Sequence, residues 1–389
     1  MRSVSVIGIG ETKFGKLDNY SLKDLIVEAG NKAIDDAGVE KEKIQALYMS
    51  NFNGSYWSTQ SHMGPLASEA LELGNIPTLR TEGACASGTL AFRTAWVAVA
   101  AGIYDVVLVG GAEKMTHQTT PIITTGLASA ADYENEVKFG ATFPSLFAMM
   151  AQRYFHEYGN IREAMAMCAV QNHDNAYLNP DAQMHKKITV DMVKSGFLVA
   201  DPLTVFDCSL VSDGAVFVVI AATDIAKNMS NSKKRLVEVI GSGHAGDAIS
   251  LTGKKSITTL GATVKAAEEA YKMAGIKPTD VNFIEVHDCF TITQILNTED
   301  LGFFEKGKGG NAVLEGITER DGKLPVNVSG GLKAKGHPIG ATGLSMIYEV
   351  VTQMRGEAGK RQLKNTNIGL THNLGGSAAT CVINIFKGL

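Results

Sequence analysis

Four short stretches carry residue types that could do chemistry together. "GACASG" places Cys85 among small residues, after a strand-like run and at the start of a helix-like one. A helix N-terminus favours a thiolate, and small neighbours let a substrate approach closely. "VHDCF" follows the apolar run Phe283, Ile284, Val286 and offers His287 and Cys289. Residues two apart on a strand share a face, so these two side chains are expected to look into one space. "GGLKAKGHPIGATG" surrounds His337 with glycines, and Pro338 suits the first helical position. A neutral imidazole there can take a proton from a thiol. "THNLGGSAAT" adds His372, Asn373 and the backbone amides of Gly375 and Gly376, which can approach an oxyanion closely.

Other chemistries fit these stretches less well. Zinc sites usually show close ligand pairs such as C-x2-C or H-x3-H, and no second pair lies near His287 and Cys289, so no metal is expected. The glycine pattern around His337 is neither a P-loop nor a dinucleotide fingerprint. Cys168, Cys208 and Cys381 read as structural thiols, since nothing beside them offers a base.

The elements that must position these residues come from an internal repeat. "LIVEAGNKAIDDAGVEKEKIQALYMSN" parallels "TVKAAEEAYKMAGIKPTDVNFIEVHDC", with Ala37 on Ala274 and Leu47 on Ile284. Each is an amphipathic helix, a glycine where a C-cap belongs (Gly38, Gly275), a polar link and a strand. The "GACASG" and "GHPIGATG" segments correspond next, which makes Cys85 and His337 repeat-equivalent. "DVVLVGGAE" then matches "NIGLTHNLGG", and "DGAVFVVIAATD" matches "SAATCVINIF". Alternating strands and helices predict α/β layers with mostly parallel strands and a hairpin at the end. Duplicated halves packed about a pseudo-twofold would bring Cys85 and His337 together near its axis.

About a hundred residues separate the last two strands of the first half, too many for a plain loop, so an inserted subdomain is expected. The divisions follow: a first half over 1–113, the insert over 114–212, a last strand and linker over 213–235, and a second half over 236–389. "NMSNSKKR", from Asn228, reads as the polar linker. Within the insert, "FPSLFAMMAQRYFHEYG" reads as a packed helix. Arg153 and the lysines of "MHKKITV" read as a solvated basic face, with phosphate contact as the alternative.

Composition bounds the class. The chain has 389 residues, 45% hydrophobic and 20% charged, which predicts a globular protein of two or three compact units. A net charge of −4 argues against nucleic acid as the main partner. Five scattered cysteines suggest free thiols in a reducing compartment. The most apolar stretch, around "TAWVAVAAGIYDVVLVGG", is broken by Gly102 and Asp105, so a buried helix and strand are expected rather than a membrane span. A cytoplasmic location is expected.

On these motifs and their order, the whole chain resembles the thiolase superfamily, nearest its sterol-carrier-protein-2-type and archaeal branch. The resemblance implies a five-layered αβαβα fold of two duplicated halves with an inserted loop subdomain, assembled as a homodimer or tetramer. It implies reversible Claisen condensation of two acetyl-CoA to acetoacetyl-CoA and CoA, an early step of the mevalonate pathway. CoA thioesters are then substrates, and no cofactor is implied. Cys85 matches the acylated nucleophile and His337 its activator. Many thiolases carry a second catalytic cysteine in a C-x-G motif, where this chain has Asn373 and Gly375. The same enzymes have N-E-A-F where this chain has His287, Asp288, Cys289 and Phe290. One cysteine is thus lost from one loop and gained in another, and Cys289 is expected to serve as acid/base. His287 and His337 are expected to donate to the enolate oxygen, and the amides of Cys85 and Gly375 to hold the acyl oxygen. Asn373, Gly331 and Gly340 are expected at the substrate. The resemblance also implies a complex with a hydroxymethylglutaryl-CoA (HMG-CoA) synthase and a zinc-ribbon/OB-fold (DUF35-type) protein. Alternatives are a related condensing enzyme, a 3-ketoacyl or hydroxymethylglutaryl-CoA synthase, or a non-catalytic assembly subunit of the same fold.

Overall fold

A computed structural model describes residues 1–229 and 234–389; residues 230–233 of the expected linker lie outside the described residues. Nine strands form one sheet: β1 Val4–Glu11, β2 Leu47–Ser50, β3 Thr78–Thr81, β4 Val106–Glu113, β5 Gly214–Ala222, β6 Val237–Gly246, β7 Phe283–Val286, β8 Ile368–Gly375 and β9 Thr380–Gly388. Their order across the sheet is β3-β2-β4-β5-β1-β6-β9-β8-β7. The helices that position the site are α1 Leu22–Ala37, α2 Ser87–Ala100, α3 Phe143–Tyr158, α4 Gly261–Ala274 and α5 Ile339–Arg355.

The repeat is visible in the register. Leu47 of β2 lies beside Leu108 of β4, and Ile284 of β7 lies beside Leu370 of β8, both in parallel pairs. On the other side, Leu47 pairs with Thr78 of β3, while Ile284 forms a single parallel bridge to Val326. The halves join where Ser5 and Val6 of β1 pair antiparallel with Glu238 and Val237 of β6. Within each half every strand but the last runs the same way, as the alternating pattern predicts. The last strand of each half inserts between the half's first strand and the strand just before it in sequence, β5 between β1 and β4 and β9 between β6 and β8, so most neighbouring pairs are antiparallel rather than parallel. Periodicity sets strand direction through helix crossovers, but it carries no information on lateral order.

Burial sorts the elements into five layers. Helix α1 turns Leu25, Ile26, Ala29 and Ala33 onto one side of the first half. Helix α4 turns Ala262, Ala266 and Ala270 onto the outer side of the second. Between them lie α2 and α5, packed against Val107, Val109 and Val218 on one side and Val239, Phe283 and Phe386 on the other. Ser21 caps α1 through a capping box with Asp24, and Gly38 ends it at φ 61°. Gly275 ends α4 in the same way at φ 67°. These left-handed caps are where the sequence places them.

The two middle helices touch nearly backbone to backbone at their first turns. A Cβ on Gly88 would lie 3.0 Å from the Leu344 amide, and one on Gly343 would lie 2.6 Å from the Thr89 amide. Side chains at these positions would force the helices apart, and with them the residues just before each helix, Cys85 and His337.

The long stretch between β4 and β5 does not form its core alone. Leu146, Phe147 and Met150 of α3 and Met165 and Cys168 of helix Arg162–Tyr177 pack with Phe290, Ile292 and Ile295, which come from the segment after "HDC". Arg153 pairs with Glu157 one turn on, and Lys187 with Asp174. No helix among the described residues is long and apolar enough to cross a membrane.

Candidate active site

Cys85 sits on a strained turn between β3 and α2. Ala84 adopts φ 50°, which an L-residue rarely does, and two bonds hold it there. Ser87 Oγ donates to the Ala84 carbonyl at 2.6 Å, and the Gly83 amide donates to Ser87 Oγ at 2.9 Å. The thiol does not gain the acidity that a helix start suggests. Burial pushes it up to about 12, with the nearby Glu113 carboxylate adding to the shift and a Gly376 N–H opposing it. Desolvation of the anion outweighs the dipole here. Cys85 is therefore a protonated thiol at rest and needs a base.

His337 is that base by position. Its backbone N–H donates to Ser212 Oγ at 2.9 Å, and Pro338 takes the cap of α5, one place before the first helical position expected for it. Its Nδ1 lies 2.6 Å from Thr342 Oγ1, whose hydroxyl faces the Pro338 carbonyl at 3.1 Å. With that hydroxyl proton given to the carbonyl, Oγ1 accepts from Nδ1–H and Nε2 is left bare. Burial pushes His337 down to about 3, so the ring is neutral.

Strand β7 ends at Val286, and the next three residues fan out. Asp288 turns away to accept the amides of Leu332 (2.7 Å) and Lys333 (3.2 Å) and the side-chain amide of Asn172 (2.8 Å). It thereby fixes the Gly331–Lys335 turn that leads to His337. His287 and Cys289 both line the cavity, as their spacing suggested. The His287 carbonyl accepts from Asn297 at 2.7 Å, and its Nδ1 meets Asn373 Nδ2 at 2.9 Å. Its Nε2 is buried with no hydrogen-bond partner among the described residues. Burial and the neighbouring His337 hold His287 well below the usual imidazole range. Cys289 is 7% exposed, with its sulfur 3.9 Å from Thr293 Oγ1, and burial beside Cys85 holds it well above the usual thiol range.

One ligand-type atom each from Cys85, His287 and His337 lies within 4.8 Å of the other two. The two imidazoles meet edge to face, centroids 5.3 Å apart. With Cys289 they line a cavity of about 140 Å³, walled otherwise mostly by apolar side chains such as Phe52, Met115, Leu127 and Phe147. The four expected catalytic residues therefore converge. The other expected site residues stand behind the wall. Gly376, not Gly375, lines the cavity; Gly375 pairs with Thr380 and packs on the Gly83 carbonyl. Gly340 donates its amide to the buried Glu113 carboxylate, which also takes the Phe52 amide. Gly331 leaves room for Asp288, whose oxygen a Cβ would meet at 2.3 Å. Asn373 is fully buried against His287.

Sequence reasoning missed the strip Cys208–Val211, which lines the cavity beside these loops. Single bridges tie it to both: Cys208 to Phe290 and Val211 to His337. No spacing signal marks it. The sequence pattern of α3 points to packing alone, yet Phe143 and Phe147 line the cavity too.

Comparison with known proteins identifies the family. The thiolase N-terminal domain family matches residues 4–224, and the thiolase C-terminal domain-like family matches residues 243–388. The chain is 49% identical to a Methanothermobacter thermautotrophicus protein described as acetyl-CoA acetyltransferase, with all of both chains aligned. It is 45% identical to one so described from Methanocaldococcus jannaschii, covering all of this chain and 99% of the relative. Among solved structures, the Ltp2-ChsH2(DUF35) aldolase superposes with a TM-score of 0.85 at 26% identity, covering 99% of this chain and 98% of that one. With the duplicated halves, the helix-start cysteine and the facing histidine in place, the chain belongs to the thiolase family.

Proposed function

We propose that the chain is an acetyl-CoA C-acetyltransferase that interconverts two acetyl-CoA with acetoacetyl-CoA and CoA. The observation that carries this reading is the meeting of two thiols, Cys85 and Cys289, with two neutral imidazoles in one apolar cavity. The description of its 49% and 45% identical relatives supports the substrate.

The protonation states set the order of steps. Cys85 attacks the thioester carbonyl of the first acetyl-CoA as its proton passes to the bare Nε2 of His337. The Gly376 and Cys85 amides are assigned to hold the acyl oxygen, a reading supported by the Gly376 N–H that faces the Cys85 thiol. The leaving CoA thiolate takes the Cys289 proton and departs as CoA, which leaves Cys289 a thiolate beside imidazolium His337. That thiolate removes an α-proton from the second acetyl-CoA. The enolate oxygen is held by N–H groups of His287 and His337. The enolate carbon attacks the acetyl group on Cys85, the C–S bond breaks, and Cys85 recovers its proton from His337. Every proton is accounted for without a resident cofactor, and thiolysis is the same path reversed.

A homodimer or tetramer in the cytoplasm is proposed with this activity. Assembly with a DUF35-type protein is proposed on the likeness to the Ltp2-ChsH2(DUF35) aldolase, and with an HMG-CoA synthase on the motifs alone. CoA-dependent loss of acetoacetyl-CoA by the purified chain tests the activity. Acetoacetyl-CoA that persists in the presence of CoA would reject it.

A further inference from the structure

We infer that Asn373 is a positioning residue that decides which nitrogen of His287 carries the proton, and so keeps the catalytic triangle a proton-handling site rather than a metal site. The inference rests on the proposed catalytic role of His287 and adds the residue that enforces it.

An amide nitrogen can only donate, so Asn373 Nδ2 at 2.9 Å makes His287 Nδ1 the acceptor. The proton of the neutral ring then sits on Nε2, the atom that is buried without a hydrogen-bond partner among the described residues, on a side chain lining the cavity. The orientation of Asn373 is set by Thr89, one helical turn after Cys85. Thr89 Oγ1 lies 2.9 Å from Asn373 Oδ1 and 3.0 Å from the Ala86 carbonyl, two acceptors for one proton, and the bond to Oδ1 keeps Nδ2 on His287. Gly343 makes the space, because a Cβ there would come 2.4 Å from Asn373 Oδ1. The residue standing where many thiolases carry a cysteine thus links the nucleophile helix, helix α5 and the donor imidazole.

The same bond has a second consequence. Cys85, His287 and His337 offer three soft or borderline ligand atoms within 4.8 Å of one another. Tetrahedral zinc, with bonds of about 2.0–2.3 Å, brings its ligands to roughly 3.5 Å apart, a small inward shift from this triangle. Zinc needs bare imidazole nitrogens. His337 presents one, but His287 presents Nε2–H, so the triangle lacks its third ligand while Asn373 stays as it is. A carboxylate at 373 would instead accept from Nδ1–H and bare Nε2, the arrangement that second-shell carboxylates give metal-binding histidines.

Two measurements on resting protein test this, and neither depends on turnover. Long-range proton–nitrogen NMR of imidazole-labelled wild type is expected to show His287 protonated at Nε2, with a Thr89→Ser variant keeping that pattern. A signal from Nδ1–H would overturn the inference. Zinc titration is expected to show roughly 10–100-fold tighter binding by Asn373→Asp than by wild type. The gain should vanish when Cys85→Ala is added. A folded Asn373→Asp protein with unchanged zinc affinity would also overturn it. If that variant does not fold, the wild-type spectrum alone decides. Failure of acetoacetyl-CoA cleavage would count against the proposed activity and leave both readouts intact.

Discussion

His287 and His337 face each other edge to face with centroids 5.3 Å apart, and each is tied from behind by a different partner, Asn373 or Thr342. Two like side chains are thereby set to opposite tasks, one presenting a proton and the other a lone pair. Both are neutral, because burial disfavours the imidazolium in each.

That neutrality predicts the acid side of the pH profile. His337 is pushed down to about 3, so it stays a base until the pH falls through that value. The rate of Cys85 acylation should show no histidine-type loss as pH falls from about 8 through the usual imidazole value of about 6.5. Single-turnover acetylation followed across this range checks it. A sharp fall near the ordinary imidazole value would mean that His337 is solvated in the working enzyme.

Cys289 protonates the leaving CoA, but it is predicted to be indispensable only after acylation, because a thiolate can leave unprotonated whereas the α-proton needs a base. Cys289→Ala should still form the acyl-enzyme but lose condensation by about 10²–10⁴-fold, the usual worth of a general acid/base. Deuterium uptake from heavy water into the methyl of bound acetyl-CoA should fall with it. Normal uptake in this variant would assign the proton abstraction to another group.

The cavity predicts acyl size. An apolar cavity of about 150 Å³ holds a molecule of benzene size, so about 140 Å³ suits an acetoacetyl group and little more. Met115 is 1% exposed and lines this space. Met115→Ala should raise kcat/KM for longer 3-ketoacyl-CoA relative to acetoacetyl-CoA and cost about 2–5 kcal/mol of stability. An unchanged preference in the folded variant would place the acyl group elsewhere.

Much of this site is legible in the sequence, for identifiable reasons. Cys85 and His337 are marked by glycine-rich helix starts, and the repeat makes them equivalent. Gly38 and Gly275 mark helix ends because their left-handed backbone suits glycine. What stays hidden depends on depth and lateral order. The rise of the Cys85 thiol to about 12 comes from burial that a helix-start motif does not reveal. The insertion of β5 and β9 between older neighbours leaves no periodic trace. Asn373 looks like a substrate contact from its motif, and only packing shows it behind His287.

A buried carboxyl outside the cavity predicts how stability varies with pH. Glu285 accepts the Ser329 amide and hydroxyl, and burial, helped by nearby Glu349, raises it from 4.5 to about 8. The folded state then holds a proton that the unfolded chain releases, so stability falls as pH rises from about 4.5 to about 8 and levels off above. Glu285→Gln should flatten part of that slope while keeping the Ser329 contacts. Melting temperatures of both proteins across this window check it, and equal slopes would show that Glu285 is ionised when folded.

All of this chemistry depends on Cys85 carrying the acyl group. Intact-mass and peptide mapping after brief exposure to acetyl-CoA test it most directly. One acetyl group on Cys85 in wild type, and none in Cys85→Ala, is the predicted result. Acetyl transfer to another residue, or an adduct that persists in Cys85→Ala, would contradict the account.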